Sequence, residues 1–399
     1  MSISLAAASA APDAVPPLWR ILTRFGWFAG LSGALGATLA YAAAVRPGLR
    51  GGEAGAAATA ALERRAARYL AWTGVVLPVA GYAQLAARVA RADEGTPFGR
   101  ALAPGRIADL LGAPAEPGAW VARGTLLTVQ NAVLVLAALA LTALFTRRGR
   151  RHLDALVLTA LPLCAAVTLI GSVPVKAAPE VLDDTLDRLL VQAHILGGAA
   201  WVGGLAALAA LAGLRGRRGG HAGVLWAGVW RRFGTVALAA VGAVLVSGLW
   251  LTWRSVGAPE QLWTTAFGVL LLVKTALVLG MVAAGAFNQF RLMPRIARAR
   301  AADATPTLLR LTLRHFPRVV LGEAVLGVAV LAVVPFLNGS ARAQAGDAGD
   351  PPAATGGILA AGLALALTLA ASLYATARAS EALSRRTVRD GGTAPAPAP

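Results

Sequence analysis

The sequence predicts an all-α, polytopic integral membrane bundle of nine transmembrane helices, with its N-terminus outside and its C-terminus inside. Three observations carry that prediction. The 399 residues are 57% hydrophobic and only 14% charged, with a mean hydropathy of +0.64, where a soluble chain carries about 25% charged residues. Nine apolar stretches are each long enough to cross a hydrocarbon core of about 30 Å. The basic residues fall in alternate loops, as insertion against the membrane potential requires.

Taken in order, residues 1–24 form an N-terminal tail. Its ASA tripeptide resembles a cleavage site, but no basic segment precedes it, so a short disordered tail is expected rather than a signal peptide. The spans are read at 25–45, 69–90, 121–146, 153–175, 189–212, 233–253, 264–289, 315–337 and 356–377. Between spans two and three, residues 91–120 make a long outer loop with Pro97, Pro104, Pro114 and Pro117, partly helical through IADLLG. Arg147, Arg148, Arg150 and Arg151 anchor the turn between spans three and four on the inner side. Residues 25–175 are thus an N-terminal four-helix bundle, 189–337 a second four-helix domain, and 338–377 an outer loop with an appended ninth helix. The cytoplasmic tail, 378–399, ends in a Pro/Ala run that cannot build a core.

A formal charge of +18 and a pI near 11.6 would suggest a nucleic-acid partner in a soluble protein. The distribution of the charge argues otherwise. Taking 46–68, 147–154, 215–232, 291–318 and 378–399 as inner segments, the inside carries 25 Arg and 6 acids, a net of +19. The outside carries 11 basic and 12 acidic residues, a net of −1. That is the positive-inside pattern; the expected partner is the lipid bilayer, and no nucleic acid is expected.

The inventory of reactive groups is short. Cys164 is the single cysteine, which excludes a disulfide framework and any CxxC site. No HExxH, GxSxG or paired in-span carboxylate appears, so no enzymatic reaction is expected. Nor is haem, because the four histidines offer no transmembrane pair at matched depth: His194 is near the outer side, His315 at the inner end of span eight, and His152 and His221 in inner loops.

Function is therefore sought among polar groups inside the spans, where an ionisable side chain is costly and faces the bundle interior or a wet cavity. Lys274, in LLLVKTALVLG, and Glu323, in FPRVVLGEAVLG, are each placed near the midplane and can meet. Such a pair either fixes the register of two helices or gates a cation path. His194, in VQAHILGGAAWVGGL, is placed one to two turns below the outer surface among Gly197, Gly198, Gly203 and Gly204, small residues that let a helix approach closely. It is either a packing residue or an outer ligand. Above it, Glu180, Asp183, Asp184 and Asp187 either cap a helix start or concentrate cations. Gln130, Asn131, Ser247 and Asn288 most simply bond across helices, and Trp250, Trp253 and Trp263 suit an interfacial belt.

Four segments together resemble the copper resistance D (CopD) membrane family over about residues 190–337. They are HILGGAAWVGGL from His194, RRFGTVALAAVGAVLVSGLW from Arg231, TTAFGVLLLVKTALVLGMVAAGAFNQFRLMPR from Thr264, and the helix carrying Glu323. The resemblance implies a multi-pass protein of the bacterial cytoplasmic (inner) membrane that transports or handles copper ion in copper homeostasis, with a periplasmic copper-binding protein as partner. It implies His194 as the copper-associated histidine, with Trp201, Gly203, Gly204, Lys274, Asn288 and Glu323 at matching positions. Copper(I) favours thiolate, thioether and imidazole, and His194, Cys164, Met281 and Met293 descend in depth from outside to inside, a sparse relay. Where family members show Gly-His near the outer end of the preceding helix, this chain has Gly171 and Ser172. The alternative is therefore a membrane scaffold or sensor that has lost copper ligands.

Overall fold

A computed structural model describes residues 15–51, 55–93, 96–176, 182–212, 220–301, 307, 311, 315–347, 352 and 354–391. Glu180, residues 1–14 of the tail, the loop arginines at 215, 217 and 218, and the terminal Pro/Ala run lie outside them.

Among the described residues nine long helices follow one another: α1 (Leu18–Ala40), α2 (Ala56–Ala92), α3 (Arg123–Thr142), α4 (Leu153–Ile170), α5 (Leu182–Ala212), α6 (Gly220–Ser255), α7 (Ala266–Phe287), α8 (Phe316–Val333) and α9 (Gly356–Gly391). Among the described residues eight helices are long and apolar enough to cross a membrane. They coincide with the first eight predicted spans, and the chain is a multi-pass membrane protein. The apolar part of α9, Gly356–Ser372, is shorter.

Leu, Ala and Val dominate these helices, and the membrane leaves a backbone no water to bond with, so helices that satisfy their own amides are the stable form. Two extend beyond their predicted ends through π-turns, which add a residue per turn without breaking the helix. Tyr41–Val45 carries α1 on into Arg46–Arg50, and Asn288–Leu292 carries α7 on into Met293–Ala301. Thr265 caps α7 by accepting from the Gly268 N–H.

The predicted boundary between residues 175 and 189 is not a gap in the packing. One continuous core holds Leu35, Leu70, Leu134 and Val157 from the first four helices with Trp201, Leu208, Trp230 and Val320 from the later ones. Helix α1 packs most extensively against α5, not against its sequence neighbours. The cause is a groove of small residues. A Cβ on Gly203 would overlap the Ser32 carbonyl, and one on Gly36 would press on Ala199 and Gly203, so only glycine lets these two backbones come together.

Tertiary hydrogen bonds gather the helix ends predicted to face outward. Tyr82 donates to the Leu102 carbonyl, Trp120 Nε1 to the Pro174 carbonyl, Arg20 and Arg24 to Asn338 Oδ1, and the Ala354 N–H to Asp183. The loop segment around IADLLG is helical, Pro104–Leu111, with Ile107 buried against Leu85 and Val89. At the opposite end Asp154 accepts from Tyr41 at 2.8 Å, Arg46 at 3.0 Å and Arg50 at 2.6 Å, tying α1 and its extension to the start of α4.

Candidate functional site

His194 stands 12 residues into α5, about three turns from its start. The helix begins seven residues before the predicted span, which places the imidazole further along α5 from its start than expected. It faces α6, where Gly248 leaves room for the ring: a Cβ there would be 3.4 Å from His194 Cε1. His194 Nδ1 is 3.1 Å from Ser247 Oγ. Ser247 Oγ is also in hydrogen-bond reach of the Ala243 and Val244 carbonyls; when its hydrogen goes to Ala243, its oxygen accepts and Nδ1 carries the proton. In that tautomer the lone pair of the neutral ring sits on Nε2, and the Val244 carbonyl also faces the ring. An imidazole oriented in this way through one nitrogen, with the other available, is what ligating histidines show.

Lys274 and Glu323 are not brought together. Glu323, 4% exposed, accepts a hydrogen bond from Asn288 Nδ2, and Asn288 is itself 7% exposed. Asn288 lies 14 residues beyond Lys274 on the same continuous helix, or about 21 Å along the axis. The predicted ion pair is therefore corrected to a carboxyl–amide bond. The predicted span ended at residue 289, which put Lys274 at its middle; the π-turn at Asn288 carries the helix on to Ile296 and beyond, which leaves Lys274 in the outer third.

The remaining predicted residues occupy separate interfaces. Cys164 is fully buried in α4, which packs chiefly on α3 and α1. Met281 is 1% exposed and packs beneath Gly327 of α8. Met293 lies against the core at the π-turn exit of α7. None of them shares the His194 environment, and no group of three or more His, Cys, Asp or Glu side chains gathers among the described residues. Trp201 is buried in the core, and Gly204 faces the Phe233 ring of α6.

The acidic segment is engaged by the protein itself. Asp183 is buried and accepts the Ala354 N–H, while Asp187 accepts from Trp250 Nε1 at 2.7 Å and pairs with Arg254 at 3.5 Å. Trp250 therefore has a specific partner in addition to its interfacial place, and Asp184 is the exposed acid of the described three.

With this geometry in view, residues 227–337 match the family model for Copper resistance protein D. The matched stretch holds Lys274, Asn288 and Glu323 and begins after His194 and the Gly203 and Gly204 pair. The chain is also 31% identical over 227 residues, 57% of its length, to "Copper transport protein CutJ" of Bacillus subtilis (strain 168), and the match spans 40% of that protein. No solved structure matches.

Proposed function

We propose that this protein handles copper ion as its substrate at the bacterial cytoplasmic membrane, moving it through the bundle or receiving it from an extracytoplasmic copper-binding protein, and that it catalyses no chemical reaction. The observation that carries the reading is the His194–Ser247 contact: with the Ser247 hydrogen on the Ala243 carbonyl, the imidazole proton is on Nδ1 and Nε2 can take a metal ion at the end predicted to face outward. The Copper resistance protein D match and the name of the similar B. subtilis protein support copper as the ion. In this reading all nine helices cross, α9 returning the C-terminus to the inside, and the +19 inner charge sets the orientation.

A second reading, a scaffold or sensor without transport, is favoured by one observation: no group of three or more His, Cys, Asp or Glu side chains that could hold a metal ion gathers among the described residues. Copper accumulation in cells and copper binding to purified protein, compared between wild type and His194→Ala, separate the two. The transport reading expects both to fall in the variant while insertion and thermal stability hold. Unchanged affinity and uptake would hand the protein to the scaffold reading.

A further inference from the structure

Glu323 stands seven residues beyond the start of α8, about 10 Å along its axis from the end predicted to face inward. The side chain is buried within the span and makes none of the ion pairs among the described residues. Its surroundings supply no counter-charge. Helix α8 packs mainly against α5 and α7 and more lightly against α1, and Trp230 of α6 stacks on Phe316 at its start. Residues 199–212 of α5, 26–40 of α1 and 233–246 of α6 contain no titratable side chain. On α7, Lys274 is about 21 Å from Asn288 along the axis. Arg291 of the π-turn, and His315 and Arg318 at the start of α8, are exposed.

Among the described residues the one donor to Glu323 is Asn288 Nδ2. The oxygen of the same amide, Asn288 Oδ1, is buried and has no donor. Two orphaned groups thus stand together. An ionised Glu323 would be a carboxylate in an apolar span with a single hydrogen bond, and it would leave the amide oxygen unsatisfied as well. A neutral carboxyl group resolves both, because it carries the missing donor: its C=O accepts from Nδ2 while its O–H donates to Oδ1, and acid and amide close a ring of two hydrogen bonds.

We propose that Glu323 and Asn288 form a proton-binding site inside the membrane span, in which Glu323 carries an exchangeable proton on its carboxyl group and donates it to Asn288 Oδ1. Release is an acid dissociation. The carboxyl O–H bond breaks, its electron pair stays on the carboxylate, the proton passes to water, and Asn288 Nδ2 keeps its bond to the anion. The ligand is the proton alone, so the site stands apart from copper.

The test is infrared spectroscopy of the metal-free full chain in lipid nanodiscs. At neutral pH the wild type is expected to show the carbonyl band of a protonated carboxyl group, a region where solvated carboxyl groups, which ionise near pH ~4, are silent. The band should shift when D2O replaces water and give way to carboxylate absorption as the pH is raised. Glu323→Gln, whose amide can close the same ring with Asn288, should fold and lose the band entirely. Asn288→Leu removes both hydrogen bonds and should move the band to higher frequency. A wild-type spectrum without the band at neutral pH overturns the proposal, as does a band that survives in Glu323→Gln, one that a folded Asn288→Leu leaves in place, or one that neither shifts in D2O nor yields to alkaline pH. Should a variant fail to fold, the response of the wild type to D2O and pH still decides.

Discussion

Asn288 of the α7 π-turn donates its side-chain N–H to Glu323 of α8, and both residues are more than nine-tenths buried. The bond joins two helices of the stretch that matches Copper resistance protein D, where the irregular turn sets an amide against a carboxyl group.

Removing the amide should be felt as a helix–helix defect. Asn288→Leu strands the Glu323 carboxyl group without its donor, at an expected cost of about 2 kcal/mol. Glu323→Gln keeps an acceptor for Asn288 and should cost less. In a double-mutant cycle read by thermal stability in detergent, Asn288 and Glu323 should couple, whereas Lys274→Met and Glu323→Gln should be additive. Coupling between Lys274 and Glu323 would show that the two meet after all.

The α1–α5 groove gives a prediction with its own control. Gly203→Val pushes a branched side chain into the Ser32 carbonyl, and a well-packed backbone contact cannot yield cheaply, so a loss of about 1–3 kcal/mol is expected. Gly198, on the same helix, has open space where a Cβ would stand, with nothing within 4 Å, and Gly198→Ala should be neutral or slightly stabilising through helix propensity. Thermal melts of the two variants side by side check this. Equal losses would mean that α1 does not lie against Gly203.

Much of the architecture was legible because a membrane constrains composition, span length and loop charge together. The partnering was less so. Gly203 announces a close approach without saying which helix makes it, and α1 is more than 150 residues away. Lys274 and Glu323 drew attention as opposite charges, but a π-turn has no clear sequence signal, and without it the depth of Lys274 is misjudged. The Ser247 partner of His194 carried a usable signal. Residue 194 is 12 positions from the outward-predicted end of α5 and residue 247 eight positions from that of α6, comparable depths on helices joined by a short loop.

Orientation can be checked by labelling. The native cysteine, Cys164, is buried in the core and should stay silent. Single cysteines at Glu260, Arg148 and Arg298 lie at exposed positions. A membrane-impermeant thiol reagent added to intact cells should modify Glu260→Cys and spare Arg148→Cys and Arg298→Cys until the membrane is opened. The reverse pattern would invert the topology drawn from the +19 inner charge.

Ser247 is expected to act on copper through His194 and not by touching the ion. With its hydrogen on the Ala243 carbonyl, its oxygen accepts the Nδ1–H and so orients the ring. Ser247→Ala removes that acceptor, although the Val244 carbonyl still faces the ring. The imidazole is loosened rather than lost, and copper affinity should fall about tenfold, the low end of what orienting partners contribute. His194→Ala should fall further. Ser247→Thr, which keeps a hydroxyl able to bond one turn back, should restore most of the affinity, while a purely structural role would show instead as a shift in melting temperature with affinity unchanged. Copper titrations and melts of the three variants make the distinction, and wild-type affinity in Ser247→Ala would remove Ser247 from the copper reading.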